Sequence, residues 1–228
     1  MSGAVLLINR SGLNGRLDGL DTKRTSKKQD RALLIHSVCL ILILGLAAFL
    51  RAHYFFGFMR GDDFTYAQFA FELLQGTLDT GQNLSGISRI GLYAPTAVAY
   101  ALFGVSEFTS VLFPLVSSLL TVVFIFCITS LFANREAALL AAFFWAIFPL
   151  DVFMATQLDP ESPLAMTTSC AVWACLLGLR SRWRVNRAAY WGLTGFFVVW
   201  ALRIKPSAAP IVGVILLIVM IYYGASIS

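Results

Sequence analysis

Apolar runs of bilayer-crossing length recur along this chain, separated by short polar stretches. They predict helical spans at about 32–50, 108–132, 136–156, 163–179, 188–204 and 207–224, each near the roughly 20 apolar residues that cross hydrocarbon. The fold class read from this pattern is all-α: a polytopic membrane protein with about six transmembrane helices. Ahead of the first run, residues 1–31 carry seven cations and no long apolar core. That segment reads as a disordered cytoplasmic tail, and the run from Ala32 to Leu50 as a retained anchor rather than a cleaved signal.

The long interval 51–107 has a pattern of its own. Phe64 to Gln75 mixes aromatic, aliphatic and polar positions as an interfacial helix does, and Gly76 is its expected stop. A turn-rich stretch follows over 79–88. Leu92 to Phe103, containing Pro95, is then a second apolar segment too short to span. The first outer loop is thus expected to hold interfacial helices.

Composition agrees with the pattern. The chain is 58% hydrophobic and 13% charged, with a mean hydropathy of +0.78, outside the balance of a soluble domain. Its net charge of +5 is not a nucleic-acid signature, because the cations sit in flanks and short loops rather than on one basic face. Cys39, Cys127, Cys170 and Cys175 fall inside spans without a CxxC pair and read as packing residues. His36 and His53 are too few for a metal cluster.

Charge also orients the chain. With the N-terminus inside, the inner face collects the seven tail cations, Arg135, Arg180, Arg182, Arg184 and Arg187. The outer face receives Arg51, Arg60, Arg89, Arg203 and Lys205. Cytoplasmic loops favour Lys and Arg, so this orientation is the expected one. Asp62, Asp63, Glu72, Asp79, Glu107, Asp159 and Glu161 then all fall outside.

Those acidic positions supply the candidate chemistry. Asp62-Asp63 either starts the following helix or forms part of a site. Asp159-Pro160-Glu161 can equally be a helix start or a second acidic cluster. Asp151 lies within the third span, as a functional carboxylate or one snorkelling to the interface. Lys205 reads as an interfacial lysine or as a charge for an anionic group such as a phosphate, which Arg60 and Arg89 could also meet. A carboxylate base beside cations is what transfer from a lipid phosphate to a hydroxyl requires. Neither a G-x-S-x-G elbow nor a P-loop is present.

From about Gly61 to Pro210 the chain resembles the N-terminal part of GT-C-type, polyprenyl-phosphate-sugar-dependent glycosyltransferases. These are the dolichyl-phosphate-mannose–protein mannosyltransferases and their aminoarabinose–lipid A transferase relatives. Gly61-Asp-Asp-Phe-Thr-Tyr-Ala resembles their D-E-x-x-Y-A run, and the segment from Leu92 to Gly104 their P-x-x-x-Y-x-L-F-G. Phe132 to Ala142 with Phe148-Pro149 is similar to their third span, Glu161-Ser-Pro-Leu to D-x-P-L, and Ile204-Lys-Pro-Ser to a lysine after the fifth span.

The resemblance implies that Asp62 is the base acting on the acceptor hydroxyl, with Asp63 where the family has Glu and Tyr66 matching its Tyr. Glu161 is implied to shape a substrate site and Lys205 to contact the lipid phosphate. Thr65 replaces the Arg of aminoarabinose transferases, and a doubled proline is reduced to Pro95, both against that particular substrate.

A membrane glycosyltransferase is the expectation, moving a sugar from a polyprenyl-phosphate donor to a lipid, glycan or protein acceptor on the outer or lumenal face. Its expected location is the bacterial plasma (inner) membrane, or the endoplasmic reticulum in a eukaryote. A divalent cation (Mg or Mn) on Asp62-Asp63 is compatible with the residues, although the resemblance does not call for one. Family members are longer, so the transmembrane domain from residue 32 to 228 is expected to be incomplete at its C-terminus. The alternatives are a non-catalytic membrane subunit or lipid-binding module of the same fold, and, ranked last, a small transporter using Asp151 and Asp63.

Overall fold

The computed structural model describes residues 32–59, 61–78 and 88–224. The expected tail, Arg60 and most of the turn-rich stretch lie outside these residues. Two compact units divide the chain. The first ends at Leu42 and holds, among the described residues, only the beginning of the first helix; the second runs from Ile43 to Ser228.

Every regular element among the described residues is helical. The first helix, α1, is Ala32–His53. Then follow α2 (Asp62–Gln75), α3 (Ile90–Phe103), α4 (Glu107–Phe132), α5 (Arg135–Ala146), α6 (Pro149–Met154), α7 (Glu161–Arg180) and α8 (Arg184–Ile204). A 3-10 turn (Pro206–Ala208) leads into α9 (Pro210–Gly224). Three of these, α1, α4 and α7, are long and apolar enough to cross a membrane. Of the other expected spans, α8 has the length but carries Arg184, Arg187 and Arg203, and α9 has 15 residues.

The expected span 136–156 is divided into α5 and α6. Pro149 is the cause: it opens α6, and the residue before it, Phe148, is extended at ψ 113°, because the proline ring disfavours helical backbone at the preceding residue. Such a break frees carbonyls at the end of α5 that need a partner.

Arg51, in the last turns of α1, is that partner. Read from sequence as an outer-face flanking cation, it is instead 1% exposed. It donates to the carbonyl of Ala146, the last residue of α5, at 3.1 Å and to Ala47 at 2.8 Å. Its remaining donors meet Ser118 Oγ of α4 and Asp151 Oδ2 of α6, both at 2.6 Å. Ser118 also donates to Asp151 Oδ2 at 2.5 Å, and Ser162 of α7 to Asp151 Oδ1 at 3.2 Å. Asp151 therefore neither snorkels nor stands free; it is the buried counterion of Arg51. Four helices besides α1 meet through this one cluster.

The other main packing layers are α4 with α5 and α7, α7 with α8, and α2 with α3. Helix α2 buries Asp63, Tyr66, Phe69 and Ala70, a stripe at helical spacing. This stripe joins Leu92, Tyr93, Ala97 and Tyr100 of α3 in one apolar core, to which Leu158 of the α6–α7 connection also belongs. Helix α3 is fastened to α8 by a hydrogen bond from Trp200 Nε1 to the Gly91 carbonyl, 2.9 Å. A Cβ at Gly91 would lie 2.9 Å from the Arg203 backbone, so that approach demands glycine.

Removing one partner of the buried pair strands the other's charge, which costs about 3–5 kcal/mol. Asp151→Asn and Arg51→Met are each expected to destabilise the detergent-solubilised chain by that amount in thermal unfolding. The double variant Arg51→Met/Asp151→Leu is expected to recover most of the loss; a double variant as unstable as the sum of the singles would refute the pairing.

Candidate functional site

The site grows from the eight-residue connection between α1 and α2. Three consecutive backbone N–H groups there are held from three directions. Gly57 donates to the Thr156 carbonyl at 3.1 Å, Phe58 to Glu107 Oε1 at 2.7 Å, and Met59 to Asp63 Oδ2 at 3.0 Å. Gly57 has φ 73°, and a Cβ there would collide with the Glu107 carboxylate, so only glycine lets Glu107 close over the loop. Phe56 stacks edge-on against Phe153, and Gln157 Nε2 lies 3.2 Å from Met59 Sδ.

These contacts lay the α1–α2 loop along residues 153–157. Leu158 continues them by entering the core beneath Tyr66. The two acidic clusters, nearly 100 residues apart in sequence, are thereby neighbours through Met59, Gln157 and Leu158.

The paired aspartates have different environments. Neither caps α2 through its side chain; Gly61 occupies the N-cap position and both lie in the first turn. Asp63 faces inward and is 6% exposed. Burial pushes its pKa up from the ordinary 3.8, and the neighbouring Asp62 charge adds to this, against the Met59 N–H that lowers it. Asp62 faces outward, its side chain 81% exposed. Tyr66, one turn on, donates its hydroxyl to Asp62 Oδ2 at 3.2 Å. Arg89 lies 4.0 Å from the same oxygen and its guanidinium stacks over the Tyr66 ring, 5.3 Å from the centroid. Asp62, Tyr66 and Arg89 form one triad, in which the exposed Asp62 carboxylate rests on the hydroxyl of the buried Tyr66, and Asp63 anchors the helix below it.

At the second cluster, Asp159 acts as a helix-start residue: its Oδ1 accepts the Glu161 N–H at 3.1 Å. Pro160 takes the N-cap position and Glu161 begins α7. Glu161 Oε1 is paired with Lys205 Nζ, at the far end of α8. The two residues that the resemblance assigned to separate substrate contacts thus meet each other. Oε2 of Glu161 is buried with no hydrogen-bond partner. It belongs to a cavity of about 110 Å³ also lined by Trp145, whose indole N–H is likewise unpartnered.

Of the residues singled out from sequence, the structure gathers Asp62, Asp63, Tyr66 and Arg89 in one place, and Glu161 with Lys205 in a second beside it. Arg60 lies outside the described residues. Asp62 and Asp63 diverge, and among the described residues no group of three or more His, Cys, Asp or Glu is arranged to hold a metal ion. The supporting residues Gly57, Met59, Gln157 and Leu158 escaped sequence reading, since nothing in their local pattern marks contacts across 100 positions. A family model described as dolichyl-phosphate-mannose-protein mannosyltransferase matches residues 92–227. No curated protein matches the chain, and no solved structure does.

Because Asp63 has a raised pKa in the fold, its burial favours folding below 3.8, and that contribution is lost as pH rises through the raised value. Asp63→Asn keeps an acceptor for the Met59 N–H and has no charge to bury. Relative to wild type it is expected to gain stability as pH rises from 3.8 through the raised value, with thermal unfolding over a pH series as the check. A difference that stays flat with pH would show that Asp63 does not titrate in this burial.

Proposed function

Given that this chain belongs to the dolichyl-phosphate-mannose-protein mannosyltransferase family, we infer that it is a membrane glycosyltransferase whose donor is a polyprenyl-phosphate-linked sugar and whose acceptor is a hydroxyl at the outer or lumenal face. The observation carrying this reading is the exposed Asp62 carboxylate, held by Tyr66 and flanked by Arg89, in a chain with three bilayer-length helices.

The chemistry follows from that arrangement. Asp62 takes the proton of the acceptor hydroxyl as its oxygen attacks the anomeric carbon. The bond between that carbon and the phosphate oxygen breaks, and the electron pair leaves on the polyprenyl phosphate. Attack from the face opposite the leaving group inverts the anomeric centre. Charge that develops on the departing phosphate calls for cations nearby. Arg89 is one; Lys205 is a second, which an incoming phosphate would draw from Glu161. Tyr66 orients the base, since its hydroxyl fixes one carboxylate oxygen and leaves the other to the acceptor. Asp63 has no open face for substrate and supports the turn through Met59.

Asp151 has no part in this chemistry. Its two oxygens are occupied by Arg51, Ser118 and Ser162, which also argues against an ion-coupling role in transport.

Asp62→Asn is expected to lower transfer from radiolabelled polyprenyl-phosphate sugars by about 100-fold or more, the usual contribution of a general base, while folding and donor binding persist. Membranes carrying the wild-type and variant chains make the comparison. Undiminished transfer by Asp62→Asn would refute the assignment of the base, and no transfer by the folded wild type with any donor sugar would favour the non-catalytic subunit.

A further inference from the structure

We propose that the end of the bundle where α4, α7 and α9 finish binds an anionic phospholipid, its phosphate at the arginines between α7 and α8 and one acyl chain in the groove beside them. With α7 running 20 residues from Glu161 to Arg180, this end lies about 30 Å from the acidic clusters. It is a separate site and does not depend on the transferase reading.

The groove measures about 360 Å³ and is walled by Phe132, Leu176, Leu179, Ile218 and Ile221, with Arg180 at its rim. Arg180 is oriented from two sides: one N–H goes to the Leu131 carbonyl at 2.7 Å, and its guanidinium lies over the Phe132 ring, 5.2 Å from the centroid. Apolar walls with a cation at one edge match an acyl chain joined to a phosphate.

The charge arrangement beyond the rim points the same way. Arg180, Arg182, Arg184 and Arg187 lie within eight residues, and the ion pairs among the described residues involve Arg51, Arg89 and Lys205 instead. Arg180 suits the C-terminal end of α7, where a cation offsets the helix dipole. Arg184 and Arg187 occupy the first turn of α8, where a cation opposes it. That turn also has no side-chain cap: Trp183 holds the N-cap position without accepting a hydrogen bond there. Uncapped N–H groups beside arginines are an arrangement that an anion stabilises. Trp183 stands between Arg182 and Arg184, 77% exposed, as an aromatic side chain of the kind enriched at a membrane interface.

The test is native mass spectrometry of the full chain in mild detergent, titrated with phosphatidylglycerol or phosphatidylcholine. Wild type is expected to retain phosphatidylglycerol preferentially. Arg182→Gln/Arg184→Gln is expected to weaken that retention by about fivefold for each arginine removed, the size of one cation at an anionic lipid surface. Leu176→Trp keeps every charge and fills the groove; it is also expected to lose the lipid. Both variants are accepted only if they elute and melt as the wild type does. Equal retention of the two lipids by wild type, or a folded Leu176→Trp chain that holds phosphatidylglycerol as wild type does, overturns the proposal.

Discussion

A guanidinium buried among helix ends governs how this molecule is assembled. Arg51 has its charge balanced by Asp151 and its other donors taken by Ser118 and the carbonyls of Ala47 and Ala146. A charge in a low-dielectric interior is tolerated only when its partners are complete. Completeness here requires α1, α4, α5 and α6 to meet at one point, with Ser162 tying in α7. The pair need not add net stability over an apolar substitute, but it excludes arrangements in which any of those helices is displaced.

The consequences extend along the chain. The break at Pro149 would leave carbonyls unsatisfied in an apolar setting, and Arg51 takes one of them. The short helix α6 then carries Asp151 into the cluster and delivers residues 155–160 beside the α1–α2 loop, where the carbonyl of Thr156 and the side chains of Gln157 and Leu158 are used in turn. The acidic clusters become neighbours because a structural ion pair one turn away fixes the segment between them. The carboxylates are thus divided by environment: Asp151 is buried among the side chains of Arg51, Ser118 and Ser162, Asp63 is buried and holds the Met59 backbone, and Asp62 is exposed.

Much of this was legible in the order of residues. The helical class, the helix from Phe64 to Gln75 that stops at Gly76 and the short helix around Pro95 follow from local periodicity, and a spacing of four residues places Tyr66 one turn from Asp62. Those signals act within a helix turn, so a linear reading captures them. Pro149 was equally local, and its effect on residue 148 is a steric rule; the apolar run around it concealed the break.

What no linear reading supplies is partnership across the bundle. By sequence alone, Arg51 is a cation that follows an apolar run, Asp151 is a carboxylate in a span, and Glu161 and Lys205 are two charges 44 positions apart. Sequence determined that these groups exist at the ends of apolar helices, because hydropathy and charge are properties of residues taken one at a time. Only the tertiary structure decided which are spent on each other and which face outward, because desolvation and hydrogen bonding depend on what lies within a few ångströms.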